Sequence, residues 1–100
     1  MNKLEISEIQ IVPIRAQNGL VAFASCVINK QFYIGNIAIH STFSEDEFRL
    51  VYPTRVLANN RATSCVHPIN KETGDAMRFA ICKAFKELFI KYSDKQLNFI

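Results

Sequence analysis

The sequence has no tryptophan, three glycines, three prolines and three cysteines in 100 residues. So few glycines exclude a collagen-like repeat, and no GxGxxG or P-loop pattern exists to cradle a phosphate. Cys26, Cys65 and Cys82 are odd in number and form no CxxC pair, which excludes a disulfide framework and the common zinc spacings. Long apolar runs are missing as well. The longest, 19–28, includes Ser25 and has ten residues, about half of the ~20 that a membrane span needs. The opening Met1-Asn2-Lys3-Leu4-Glu5 lacks the apolar stretch of a secretory signal. Together these features lead us to expect a cytoplasmic protein with free thiols. Acid is also absent over one long stretch: between Glu47 and Glu72 the only charged residues are Arg49, Arg55, Arg61 and Lys71.

What is present fits one folded domain. One hundred residues lie near the commonest domain size, and a 49% hydrophobic content supplies a core. We expect a domain over 1–93 and a short tail over 94–100. Residues 1–50 carry four basic and five acidic side chains, and residues 51–100 carry eight and four. The charge is therefore lopsided, −1 against +4, and a basic half points to an acidic partner such as nucleic acid.

The first seventy residues read as strands and turns. Ile9 and Ile11 alternate with Glu8 and Gln10, the period of a half-buried strand. Val12 and Ile14 then take the opposite parity across Pro13, which predicts a bulge or an edge position. Asn18-Gly19 between two apolar runs predicts a tight hairpin. Residues 20–28 are apolar at nearly every position, which predicts a central strand covered on both faces. Further strands are expected over 32–39, 48–52 and 63–67, with 54–61 as a basic connection tipped by Asn59-Asn60. Asn70 is a good helix N-cap, and Glu72 and Asp75 suit the positive helix end. Met77, Ala80, Ile81, Ala84, Phe85, Leu88 and Tyr92 recur at helical spacing, predicting a helix over 71–92. The expected fold is α+β: an antiparallel five-stranded meander followed by a C-terminal helix packed on the sheet. Phe79, Cys82, Lys86 and Ile90 fall on the opposite side of that helix, a line that suggests self-association.

Candidate chemistry is sparse. Cys65 and His67 fall on one face of a strand, but zinc needs three or four ligands and neither Cys26, His40 nor Cys82 is spaced to complete the set. We expect no metal and no cofactor. No cysteine is marked as activated, and the Glu45-Asp46-Glu47 cluster reads as a solvated turn, so no enzymatic activity is expected. His67-Pro68-Ile69-Asn70 reads as a strand end followed by a capped helix, with His67 bonded to the turn. Arg55 and Arg61 in the connection, with Lys71 and Arg78 on the helix, make the candidate surface for phosphates.

Four stretches together resemble the SpoVG septation-regulator family of bacteria. They are Ile9-Gln10-Ile11-Val12-Pro13-Ile14 with Asn18-Gly19; Ala24-Ser25-Cys26-Val27-Ile28 leading to Phe32 and Ile37-Ala38-Ile39; Phe48-Arg49-Leu50-Val51-Tyr52-Pro53-Thr54-Arg55; and Val66-His67-Pro68-Ile69-Asn70. The resemblance implies a small dimeric cytoplasmic α+β protein that binds DNA, and in some members RNA, with roles in septation, sporulation and gene regulation. It implies nucleic-acid contacts at Arg55 in the loop, and at Arg61, Lys71 and Arg78. Val56-Leu57-Ala58-Asn59-Asn60 departs from the family's more basic loop, Gly74 replaces a longer side chain, and the last residues are apolar rather than charged. The leading reading is a non-enzymatic, dimeric nucleic-acid-binding regulator with no small-molecule substrate. The alternative is a protein-interaction module acting through its helix face or sheet edge.

Overall fold

The computed structural model describes residues 4–42 and 47–97, with 89–97 by backbone alone. The elements run β1 (Ile6–Gln17), β2 (Leu20–Ile28), β3 (Phe32–Ser41), β4 (Phe48–Val51), β5 (Thr54–Val56), β6 (Ala62–Ser64) and α1 (Lys71–Leu97). β1 to β4 form an antiparallel sheet in chain order, and β5 and β6 form a separate two-stranded ribbon. The fold is α+β as expected, but the meander has four strands rather than five. The strand expected over 63–67 forms instead at Ala62–Ser64 and pairs with Thr54–Val56, a segment read from the sequence as a connection. Pro53 has no N–H to continue a ladder, so the chain leaves the sheet there and pairs with itself.

The hairpins follow their turn residues. Asn18 (φ 50°) and Gly19 (φ 88°) both take positive φ between β1 and β2, as the Asn-Gly pair predicts. Asn29 and Lys30 do the same between β2 and β3, and Gln31 N donates to Ile28 O across that turn. The register along β2 shifts at four places, and two of these put one extra residue on a neighbouring strand. The register skips a residue between Ser7 and Gln10 on β1, and again between Ile34 and Ile37 on β3. Glu8 (φ 48°) and Asn36 (φ 57°) mark the two positions. Each extra residue keeps the isoleucines on either side of it, Ile6 with Ile9 and Ile34 with Ile37, facing the core despite a spacing of three.

The core lies between this sheet and α1. Ala22, Ala24 and Cys26 of β2, Ile37 and Ile39 of β3, and Met77 and Ile81 of α1 are buried together. Phe85 of α1 meets Phe48 of β4 edge to face at 5.1 Å. Asn70 caps the helix as predicted: Thr73 N donates to Asn70 Oδ1 at 2.8 Å. The helix extends to Leu97, beyond the expected 92. Cys82 corrects the outward line drawn from periodicity. It is buried, its thiol 4.0 Å from Phe48 O, because the packed stripe of α1 is wide enough to reach the β4 edge. Phe79 does face outward, 72% exposed, whereas Leu88 of the predicted inner stripe is also exposed. Ile90, Glu45, Asp46 and the last three residues lie outside the described side chains.

β2 is central, but only one of its faces is covered. Its partners on the open face align across the sheet as Val12, Phe23, Ala38 and Val51. Among the described residues a single helix covers a single face, and Val12, Phe23 and Val51 are exposed on the other. The chain shows much surface for its size. It exposes 8198 Å², where a compact monomer of 11.4 kDa exposes about 5,800 Å². Its radius of gyration is 15.1 Å, against about 13 Å for a compact domain of this length.

Candidate nucleic-acid interface

The β5–β6 ribbon stands on the sequence between Pro53 and Cys65. Thr54 pairs with Ser64, Arg55 with Thr63 and Val56 with Ala62. Beyond those pairs, Leu57 N donates to Arg61 O at 2.8 Å and Asn60 N to Leu57 O at 2.9 Å. Asn60 takes φ 65°, a left-handed position that Asn tolerates well. Asn59 Oδ1 accepts from Arg61 N at 3.1 Å and fixes the start of the returning strand. At the base, Cys65 N donates to Pro53 O at 3.0 Å and closes the ribbon.

Strand alternation sorts the ribbon into two faces. Arg55 and Leu57 share one face with their cross-strand partners Thr63 and Arg61. Thr54, Val56, Ala62 and Ser64 share the other. The two arginines thus stand together on one face of an exposed ribbon that contains no acid. Among the described residues neither is paired with a carboxylate, so both guanidinium groups present their donors to solvent.

Lys71 and Arg78 form a second set. They lie two turns apart on one line of α1, both exposed. Arg78 Nη2 is 3.6 Å from Asp75 Oδ1, a pair more than half exposed on each side, and such a pair holds its partners weakly. Among the described residues no hydrogen bond or ion pair joins this set to the ribbon. Of the four candidate residues, the structure brings Arg55 next to Arg61 and aligns Lys71 with Arg78.

His67 behaves as a turn residue. Its Nδ1 lies 2.8 Å from Ser64 Oγ, which joins the end of β6 to the segment entering the helix. Among the described residues, no three His, Cys, Asp or Glu side chains gather as a metal would require. Cys65 is exposed, whereas Cys26 and Cys82 are buried. Burial pushes both of those thiols up, and for Cys82 the nearby Lys86 and Arg78 offset part of the shift. Tyr52 is pushed up to about 12 by burial, with the thiols of Cys26 and Cys82 adding to it. Its hydroxyl has no hydrogen-bond partner among the described residues.

Sequence reasoning missed that the basic connection is itself a ribbon, and so missed its two faces. The signal was there. Thr54-Arg55-Val56 and Ala62-Thr63-Ser64 are rich in β-branched residues and flank a five-residue loop with Asn59-Asn60, a spacing typical of a bulged hairpin. A groove at the ribbon's base, lined by Phe32, Tyr33, Pro53 and Val66, was also unforeseen.

None of the curated proteins compared matches the chain. The SpoVG family model matches residues 4–87, which takes in the sheet, the ribbon and the packed part of the helix. This chain belongs to the SpoVG family.

Proposed function

We propose that this protein is a non-enzymatic, dimeric nucleic-acid-binding regulator of the cytoplasm, serving septation and sporulation as its family membership suggests. The observation that carries the reading is the ribbon face that holds Arg55 and, diagonally across the strands, Arg61, with no acid in the ribbon. Guanidinium groups take phosphate oxygens in bidentate fashion and need no particular base to do so. A two-stranded ribbon also fits the width of the major groove. Lys71 and Arg78 extend the phosphate contacts along the helix.

Binding of this kind depends on salt. With three or four contacts from each of two subunits, log K falls against log salt with a slope of about −5 to −7. Fluorescence anisotropy with labelled duplex DNA, single-stranded DNA and RNA across a salt series measures it. Arg55→Ala/Arg61→Ala is expected to weaken binding on every sequence and to flatten the slope by about two for each subunit. A slope near zero, or an unchanged slope in the double variant, would sink the proposal.

A protein-interaction role has one observation in its favour, the 72% exposure of Phe79 on the outer side of α1. If that reading holds instead, Phe79→Asp abolishes partner capture while Arg55→Ala leaves it intact.

A further inference from the structure

The outward side of α1 carries Phe79, a ring that the core does not use. It is 72% exposed. At 3.6 residues per turn, Glu72, Asp75, Lys83 and Lys86 fall within about 40° of it around the helix axis. All four are exposed. Among the described side chains Phe79 is therefore the one large apolar group on this line. Glu72 and Asp75 precede the ring, and Lys83 and Lys86 follow it. Arg78, beside the ring in sequence, stands 3.6 Å from Asp75. Lys86 Nζ lies 6.0 Å from the centroid of the Phe48 ring, which keeps its charge at the β4 side of the helix. The Cα–Cβ bonds of a helix tilt toward its start, so Lys83, one turn past Phe79, leans back toward the ring. An exposed aromatic face thus lies among three cations.

From this arrangement we infer that Phe79 is a stacking platform for an unpaired nucleobase, with Lys83, Lys86 and Arg78 taking phosphates of the same single strand. This rests on the nucleic-acid reading proposed above and gives it a substrate class, unpaired RNA or DNA. Size decides between a base and a protein. A protein contact covers ~800 Å² per partner, and one aromatic side chain supplies at most about 250 Å². The charged neighbours of Phe79 offer no apolar surface to make up the rest, whereas one ring matches one base. Charge agrees, since three cations surround the ring and Asp75 is already engaged by one of them. Every base has a π-face, so the platform needs no particular sequence. In a duplex the bases are stacked on each other and out of reach, so Phe79 distinguishes unpaired strands from paired ones. The ribbon arginines have no such means, because both kinds of strand present phosphates.

The chain has no tryptophan, so the fluorescence of Phe79→Trp reports on this position alone. It is expected to be quenched by oligo(dT) or oligo(U) of ~12 nucleotides and unmoved by a duplex of that length. The two oligomers separate DNA from RNA: quenching by either supports the platform, and quenching by neither overturns it. In anisotropy, Phe79→Ala and Phe79→Leu are each expected to weaken single-strand binding by about 5- to 150-fold and to leave duplex binding unchanged. Leucine keeps the apolar bulk without the π-face, so full affinity in that variant overturns stacking. Lys83→Ala/Lys86→Ala is expected to flatten the single-strand salt slope by about 0.7 for each lysine. Asp75→Asn is expected to tighten binding, because it removes a carboxylate beside the phosphates and releases Arg78. All these positions are exposed, and circular dichroism checks that each variant folds. Equal losses on duplex and single strand in Phe79→Ala overturn the inference while leaving the ribbon reading in place. A change of mass in sedimentation with nucleic-acid affinity kept puts a protein on this face and overturns it too. A wild type that binds no nucleic acid removes the functional reading and this inference together.

Discussion

The sheet with its helix and the ribbon are built by opposite means. Around Ile37, Ile39 and Ile81 the chain buries aliphatic side chains between two layers, and removing any of them leaves a void. Every residue from Thr54 to Cys65 is exposed, and the segment is held by a short ladder, a left-handed Asn60 and a clasp at its base. One region holds the fold, and the other presents chemistry that the fold does not need. Charge follows the same division, since the whole stretch between Glu47 and Glu72 lacks an acid. A surface free to vary without unfolding the protein is where a binding role is most cheaply placed.

Substitutions on either side test that division. Ile81→Ala is expected to destabilise by about 2–5 kcal/mol, a large share of the 5–15 kcal/mol typical of a small domain. Thr63→Ala on the ribbon is expected to stay within about 0.5 kcal/mol. Urea midpoints decide it, and similar losses from the two would break the comparison. Asn70→Ala sits at the join between the regions. It removes the bond to Thr73 N and is expected to lose about 1 kcal/mol, with DNA affinity unchanged if the helix start only holds the fold.

The pH response sharpens the core side. An unfolded tyrosine ionises near 10, but Tyr52 in the fold stays protonated up to about 12. Between those values the native state keeps a proton that the unfolded state has released, so stability falls as pH rises through that window. The buried thiols of Cys26 and Cys82 act in the same direction, beginning above their ordinary value of 9.0. Tyr52→Phe is expected to make the alkaline fall shallower and to cost nothing near neutrality, because the hydroxyl it removes has no partner. Urea midpoints on either side of pH 10 show whether it does.

Features that depend on one or two residues were legible in the sequence. Asn18-Gly19 predicted its turn, Asn70 its cap, and the apolar run over 20–28 the central strand, because each follows from local geometry. Features that depend on how elements meet were not. The width of the packed stripe on α1, which buries Cys82, is set by where the helix lies over Phe48. The open face of β2 reflects the presence of one covering helix, which an apolar run alone does not reveal. Arg55 and Arg61 were readable as candidates from the lack of acid around them. Their shared face was not, since it needs the pairing of Arg55 with Thr63 and of Leu57 with Arg61.

The clasp between Cys65 N and Pro53 O has a kinetic consequence. Few bonds tie the ribbon to the rest of the chain, so it is expected to open and reclose more readily than the core does. Its bonded amides, Leu57, Asn60, Arg61 and Cys65 among them, are therefore expected to exchange with solvent on a clock separate from that of the core. Free ribbons exchange quickly, and a ribbon held by phosphate or by a second chain exchanges only as often as its holder lets go. Those amides make a timer built into the binding element, one that reads residence time directly.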